Sequence, residues 1–421
     1  MPAAVRFAGR EPTAPRRDVD YGVTREIRVP LPLDGVRVLD FTWAQQGPFA
    51  TALMADMGAE IIKIEARDGD RGRHIFPGDR PVAYFIAHNR GKHSVTLDLK
   101  KPQAIEIVKR LVERVEVVVN NFRPGVMERF GLGYEDMRAM NPAIVYGNAT
   151  GFGPLGPMSG RPGVDIIGQA MGGIMTKTGD NDGPPTPAGA AIADQTGAIL
   201  LAVGTLAALI RARATGKGEQ VDVSLYGSQI ALQSFEITTH SMLGRDAGRG
   251  GLGHPEASKR GVWRAFEASD GWFVLGSVDM YRFQRLSKLV GAPELSETYP
   301  DDQRRAAGLP VINAELERRF STQTRAHWFQ QFEEQDIIFA PVQGYDDVLA
   351  SEQAWANGYV QKLPHPVLGE VTVAGSPIQF GREPSSLAGT APELGDSTEQ
   401  YLEEIGYSWD EITTFRDEGV I

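Results

Sequence analysis

The stretch VRVLDFTWAQQGPFATALMADMGAEIIKIE, residues 36–65, decides the fold. Its first six residues form an apolar run with β-branched positions, which predicts a buried strand. Pro48 sits at a first helical position and opens PFATALMADM, whose apolar spacing predicts a helix; Gly58 supplies the stop. EIIKIE (60–65) then reads as a second strand. Strand, helix and strand in this order make one βαβ unit.

The same alternation continues outward. AIEIVKRLVERVEVVVNNF (104–122) reads as a helix feeding the strand VEVVV, and NPAIVYGNA (141–149) adds another strand. Helices alternating with buried strands predict an α/β fold with a parallel sheet, a Rossmann-like large domain. AILLAVGTLAALI (198–210) is apolar nearly all round and predicts a helix buried deep in the protein. Residues 244–261 are rich in Gly and charge and read as a loop or linker. VWRAFEASDGWFVLGS (262–277) predicts a hairpin turning at Asp270-Gly271, with helices following to about Gln335, a smaller α+β domain. Beyond Gly344 come a short helix, strands GEVTVAG (369–375) and PIQF (377–380), and a closing helix from about Ser397. The expected divisions are an arm at 1–30, a large domain at 31–230, a linker at 231–261, a small domain at 262–343, and a return to the large domain at 344–421.

Composition narrows the function. The chain has 421 residues, 42% apolar and 23% charged, with a net charge of −11. That balance argues against general affinity for nucleic acid or anionic membrane, so an anionic ligand needs locally placed Arg and Lys. With no cysteine, disulfides, cysteine–metal sites and a cysteine nucleophile are excluded. No apolar run approaches the roughly 20 residues that span a bilayer, and the reading is of a cytoplasmic protein. The first 30 residues scatter Arg6, Arg10, Arg16, Arg17, Arg25 and Arg28 among Pro, Ala and Gly, as an extended surface arm does.

In a parallel sheet, ligands bind beyond the carboxyl ends of the strands. FTWAQQGP presents Gln45 and Gln46 at a helix N-terminus, where free N–H groups meet an anion or carbonyl. A lone Gly47 stands there without GxGxxG, so the dinucleotide fingerprint is absent. NNFRPG offers Asn121, Phe122 and Arg123, with Arg129 further on; arginines clamp phosphates and Phe stacks on a purine. Lys92, Lys100 and Lys101 surround a short strand. Two acids, Asp165 and Asp194, lie near helix starts. Asp194 follows the small residues Gly189, Ala190, Ala191 and Ala193 and precedes the apolar helix; its ordinary role there is an N-cap.

These motifs, in this order from about Leu33 through Gly218 and more weakly to the C-terminus, resemble the class III CoA-transferase family. The resemblance rests on LDGVRVLDFTWAQQGPFATALMADMGAEIIKIE, LDLK, NNFRPGVMERFG and GPPTPAGAAIADQTGA. It implies transfer of CoA from an acyl-CoA donor to a carboxylic acid through a covalent intermediate on Asp194. It implies CoA contacts at Gln45, Gln46, Leu97, Asp98, Leu99, Lys100, Asn121, Phe122, Arg123, Arg129 and around Arg161, with Asp165 and Gln169 near the acyl group. CoA is a substrate in this reading; no cofactor is permanently bound and no metal is used. A large domain assembled from both ends of the chain and an interlocked homodimer are also implied.

The pattern departs from the family in two places. An arginine frequent after the second strand is Ala66 here, so Arg67 or Arg71 has to serve. GRGGLGHPEASKRG (248–261) replaces a glycine-quartet loop, which leaves the acceptor acid open. The alternative is an acyl-CoA racemase of the same fold, moving a proton at Cα with a His and an Asp. Such enzymes place a His where Val164 precedes Asp165.

Overall fold

The computed structural model describes residues 30–74, 83–246, 248–254, 257 and 261–421. The arm read at 1–30 lies outside the described residues except for Pro30. Six strands build the central sheet: β1 (Arg37–Phe41), β2 (Glu60–Glu65), β3 (Lys92–Thr96), β4 (Val117–Asn120), β5 (Val145–Thr150) and β6 (Gln220–Ser224). Every pairing is parallel and the order is β3-β2-β1-β4-β5-β6. The order reverses between β1 and β4, where such sheets open a crevice at the carboxyl ends.

The apolar runs read as strands because both sheet faces are covered. Val38, Ile61, Val117 and Val119 turn to one face and pack on helices α1 (Gln46–Asp56) and α7 (Ile192–Thr215). Leu39, Ile62 and Val118 turn to the other, against α3 (Pro102–Val112) and α5 (Tyr134–Met140). Between these lie α2 (Ala83–Asn89), α4 (Val126–Arg129) and α6 (Asp165–Gly172). The chain's end joins the second cluster: Leu402 of α16 (Thr398–Glu404) and Ile412 of α17 (Trp409–Asp417) are fully buried in it.

A separate apolar cluster holds the segment from Val262 to Phe339. Strands β7 (Val262–Ala268), β8 (Gly271–Val278) and β9 (Phe339–Pro341) form an antiparallel sheet; the β7–β8 hairpin turns at Ser269-Asp270, one residue before the expected Asp270-Gly271, because Gly271 already pairs with Ala268. Phe266, Phe273, Phe320 and Phe332 pack edge to face in its core, with helices α10 (Met280–Leu289), α11 (Glu294–Thr298), α12 (Asp302–Phe320) and α13 (Arg325–Glu334) around them. Short helices α14 (Tyr345–Ala350) and α15 (Glu352–Ala356) follow, then the hairpin of β10 (Val360–His365) and β11 (Gly369–Ala374).

Four local expectations are corrected. PIQF is irregular, and GEVTVA pairs instead with Val360–His365. The segment 231–261 carries the end of α8 (Leu225–Leu232) and all of α9 (Ser234–Leu243); its apolar residues escape a simple pattern because Phe235 and Met242 are exposed. The helix expected deep in the protein is half covered: Ile199, Val203 and Ile210 of α7 are 49%, 58% and 72% exposed. At 24 residues, α7 is also long and apolar enough by composition to cross a membrane. Here one face lies on the sheet.

Candidate functional site

A cavity of about 950 Å³ opens where the strand order reverses, within the range of small-molecule sites. Its wall comes from the loops after β1, β2, β4 and β5 and from the start of α7. The turn after β1 is held by side chains from three directions. Asn121 accepts from Trp43 N at 2.9 Å and donates to Trp43 O at 2.7 Å. Lys63 Nζ donates to Thr42 O at 2.7 Å, and Ala44 N donates to Asp70 Oδ1 at 3.3 Å. The turn delivers α1 with its N-terminus at the cavity and no side-chain cap. Gln46 there is buried, and its Nε2 has no hydrogen-bond partner among the described residues. It lies against α7 because residue 197 is glycine; a Cβ there would stand 2.5 Å from that nitrogen.

Asp194 is in the first turn of α7, and it does not cap the helix. Asp165 does: its Oδ1 accepts from Ala193 N at 2.8 Å and Asp194 N at 3.2 Å. Gln169 holds Asp165 in place, donating to its Oδ2 at 2.6 Å while accepting from Ala188 N at 2.9 Å. The cap is thus supplied from α6, and the Asp194 side chain is left to line the cavity. Burial first, and then the like charge of Asp165, push the Asp194 carboxyl up to about 7. Tyr84 lines the same wall, and burial followed by the Asp194 charge raises its phenol well above the usual value, so it keeps its proton.

Beneath the wall the charges are matched. Lys92 Nζ meets Asp40 Oδ2 at 2.9 Å and Lys63 Nζ meets Asp70 Oδ2 at 2.9 Å, with these side chains 0–2% exposed. Burial alone would raise Asp40, but Lys92 and Lys63 outweigh it and hold the carboxyl at about 2. Burial pulls Lys92 down to about 8 against the pull of Asp40. Glu65 lies below its usual range because Arg73 and Lys63 overcome its burial.

The cavity brings together Gln45, Gln46, Asn121, Phe122, Arg123, Arg161, Asp165 and Asp194. Arg71 lines it and Arg67 does not; the Arg67 guanidinium lies by Gly419 near the chain's end. Arg71, Arg123 and Arg161 form no ion pair among the described residues, and Arg71 sits 5.2 Å over the Trp43 ring. Leu97, Asp98, Leu99 and Lys100 stay outside the wall, since β3 ends at Thr96 on the sheet's edge. Leu97 and Leu99 pack into the core, and Asp98 closes a turn by accepting from Lys100 N at 3.1 Å. Arg129 and Gln169 also lie outside it. Trp43, Lys63, Glu65, Asp70 and Tyr84 line the wall without having been expected. Lys63 had a signal: a lysine inside a strand buried on both faces must be paired.

Fold and site together define an α/β protein of the doubly wound type, with arginines that form no ion pair among the described residues and a half-buried carboxylate at its switch point. A family model described as CoA-transferase family III matches residues 33–398, and the chain belongs to that family. Succinyl-CoA:glutarate CoA-transferase of Mus musculus is 34% identical over 380 residues, covering 89% of this chain and 86% of the relative. Formyl-CoA:oxalate CoA-transferase of Streptomyces coelicolor is 32% identical over 408 residues, covering 92% and 99%. A crystal structure of a CAIB/BAIF family protein from Brucella suis matches with TM-score 0.80 and 30% identity, covering 90% of this chain and 100% of that one. By its family and these relatives the chain is a CoA-transferase.

Proposed function

We propose that this enzyme moves CoA from an acyl-CoA donor to a carboxylic acid through a covalent intermediate on Asp194. The observation that carries the reading is a carboxylate that is half-buried, faces the cavity, and is relieved of capping by Asp165. The carboxylate attacks the thioester carbonyl, the C–S bond breaks, and CoA leaves as thiolate with a mixed anhydride formed. The thiolate then attacks the aspartyl carbonyl, releases the donor acid as carboxylate, and leaves an aspartyl-CoA thioester. The acceptor carboxylate repeats the two steps in reverse and restores Asp194. Each step exchanges one carboxylate for one thiolate, so no net proton is needed.

A carboxyl held at about 7 is a stronger base, and so a better nucleophile, than an ordinary one, yet it is largely ionised at slightly alkaline pH. The α1 N-terminus and the Gln45 and Gln46 amides offer donors to the tetrahedral oxyanions. Arg71, Arg123 and Arg161 hold the phosphates of CoA, and Phe122 offers a face to its adenine. A racemase reading lacks an imidazole: no histidine lines the cavity among the described residues. The acceptor acid stays open, since the relatives' own names include glutarate and oxalate.

The active unit in this reading is a homodimer. Besides the exposed face of α7, Ile166 and Met171 of α6 and Phe235 and Met242 of α9 are exposed apolar residues of the kind that a second copy covers. Sedimentation at micromolar protein is expected to give twice the chain mass of 45.8 kDa; a monomer contradicts this part. Initial rates of transfer to a labelled carboxylic acid test the chemistry. Ping-pong kinetics abolished by Asp194→Ala are expected; retained turnover would falsify the assignment.

A further inference from the structure

Resting on that reading, we infer that Asp70 and Lys63 are positioning residues: as a buried pair they lock the turn after β1 and the turn bearing Arg71 into one rigid wall. The turn after β1 needs a lock. Ala44 sits at φ 64°, the left-handed region that a residue with a Cβ adopts at a cost. Closing the turn also brings residue 47 against Thr42, where a Cβ would lie 2.3 Å from Thr42 Cγ2. The backbone therefore holds this shape only because side chains over-determine it.

Asp70 is the junction. Its Oδ1 accepts from Ala44 N at 3.3 Å and from Gly72 N at 2.7 Å, which starts the short turn Arg71–Arg73. Its Oδ2 meets Lys63 Nζ at 2.9 Å, and Lys63 reaches on to Thr42 O at 2.7 Å. Its own N–H donates to Glu65 Oε2 at 2.9 Å, and that carboxylate grips Arg73. One carboxylate thus ties together β2, the turn that presents Gln45 and Gln46, and the turn that presents Arg71. Burial lowers the proton affinity of Lys63, but Asp70, Asp40 and Glu65 more than reverse it, so the ammonium is retained.

The pair fixes the distance between the donors at the α1 N-terminus and the arginine at the cavity's rim. That spacing matters when one ligand must meet both at once, and a shift of about 1 Å in such a site costs about 10²-fold in rate. The substitutions separate tying from mere folding. Asp70→Ala removes the side-chain ties to Ala44, Gly72 and Lys63, whereas Asp70→Asn keeps an acceptor for Ala44 and Gly72.

The test is single-turnover acylation of Asp194 by an acyl-CoA, with binding of CoA itself measured by calorimetry, on protein kept below its melting transition. Asp70→Ala is expected to acylate about 10²-fold more slowly and to bind CoA more weakly; Asp70→Asn is expected to stay within about tenfold of the natural protein. Asp70→Ala within twofold of the natural rate, or Asp70→Asn as slow as Asp70→Ala, overturns the inference. Should Asp70→Ala fail to fold, Lys63→Met takes its place: a loss of about tenfold or more supports the role, and the natural rate refutes it. Failure of the natural protein to acylate Asp194 at all counts against the proposed chemistry instead, and CoA affinity across the same variants then decides the positioning role, unchanged affinity refuting it.

Discussion

Asp40 is a carboxylate taken fully out of water and Asp194 one taken partly out of it, and their proton affinities shift in opposite directions. Asp40 has Lys92 and Lys63 beside it, with hydroxyl donors from Thr42 and Thr51, and sits at about 2. Asp194 has burial and another carboxylate for company and sits at about 7. Desolvation acts on both; the neighbours decide the sign. The compensated acid is structural, holding strand ends together, while the uncompensated one is the acid to which we assign the chemistry. A buried charge without a partner is a cost that a fold keeps where a reaction uses it.

The contrast can be broken most forcefully at Asp194 itself. Asp194→Ala is expected to lower CoA transfer by about 10³-fold or more while the melting temperature holds or rises, read by initial rates and calorimetry. On the compensated side, Lys92→Met removes the cation paired with Asp40, leaving only Lys63 nearby, and is expected to cost about 3–5 kcal/mol of stability, read by denaturant unfolding.

Stability against pH sharpens the comparison further. The folded carboxyl of Asp194 binds its proton more tightly than the unfolded one, near 3.9. Its contribution is therefore fully present below about pH 4, declines as pH rises, and is lost above about 7. Asp194→Asn lacks this loss, so its advantage over the natural protein is expected to grow between pH 4 and 7, to about 1–4 kcal/mol above 7, in unfolding curves across pH. The smallest effect is on the acid limb of kcat/KM, expected near pH 7. Asp165→Asn keeps an acceptor for the α7 N-terminus but removes the like charge, and is expected to move that limb down by less than about one unit.

Much of this was legible in the sequence where the signal is local. RVLDF and EIIKIE read as strands because their apolar runs are continuous, as buried parallel strands require. Asp194 stood out because small residues precede it and an apolar helix follows. Its freedom from capping was not legible, since the cap comes from Asp165, 29 residues earlier, across a helix–helix contact. The same holds for Asp70, whose partners at 44, 63 and 72 belong to three segments. Residues 97–100, which the family resemblance pairs with CoA, lie outside the cavity wall: β3 ends one residue before them, and Asp98 N donates to Val420 O near the chain's end. The reach of α7 and α9 was obscured because part of their apolar surface is exposed among the described residues.

Mass spectrometry of the protein mixed with an acyl-CoA and quenched with borohydride or hydroxylamine tests the central claim most directly. Modification confined to the peptide carrying Asp194, and absent without the thioester, is the predicted result. CoA exchange with every carboxyl unmodified, or deuterium entering the acyl Cα instead, would contradict it.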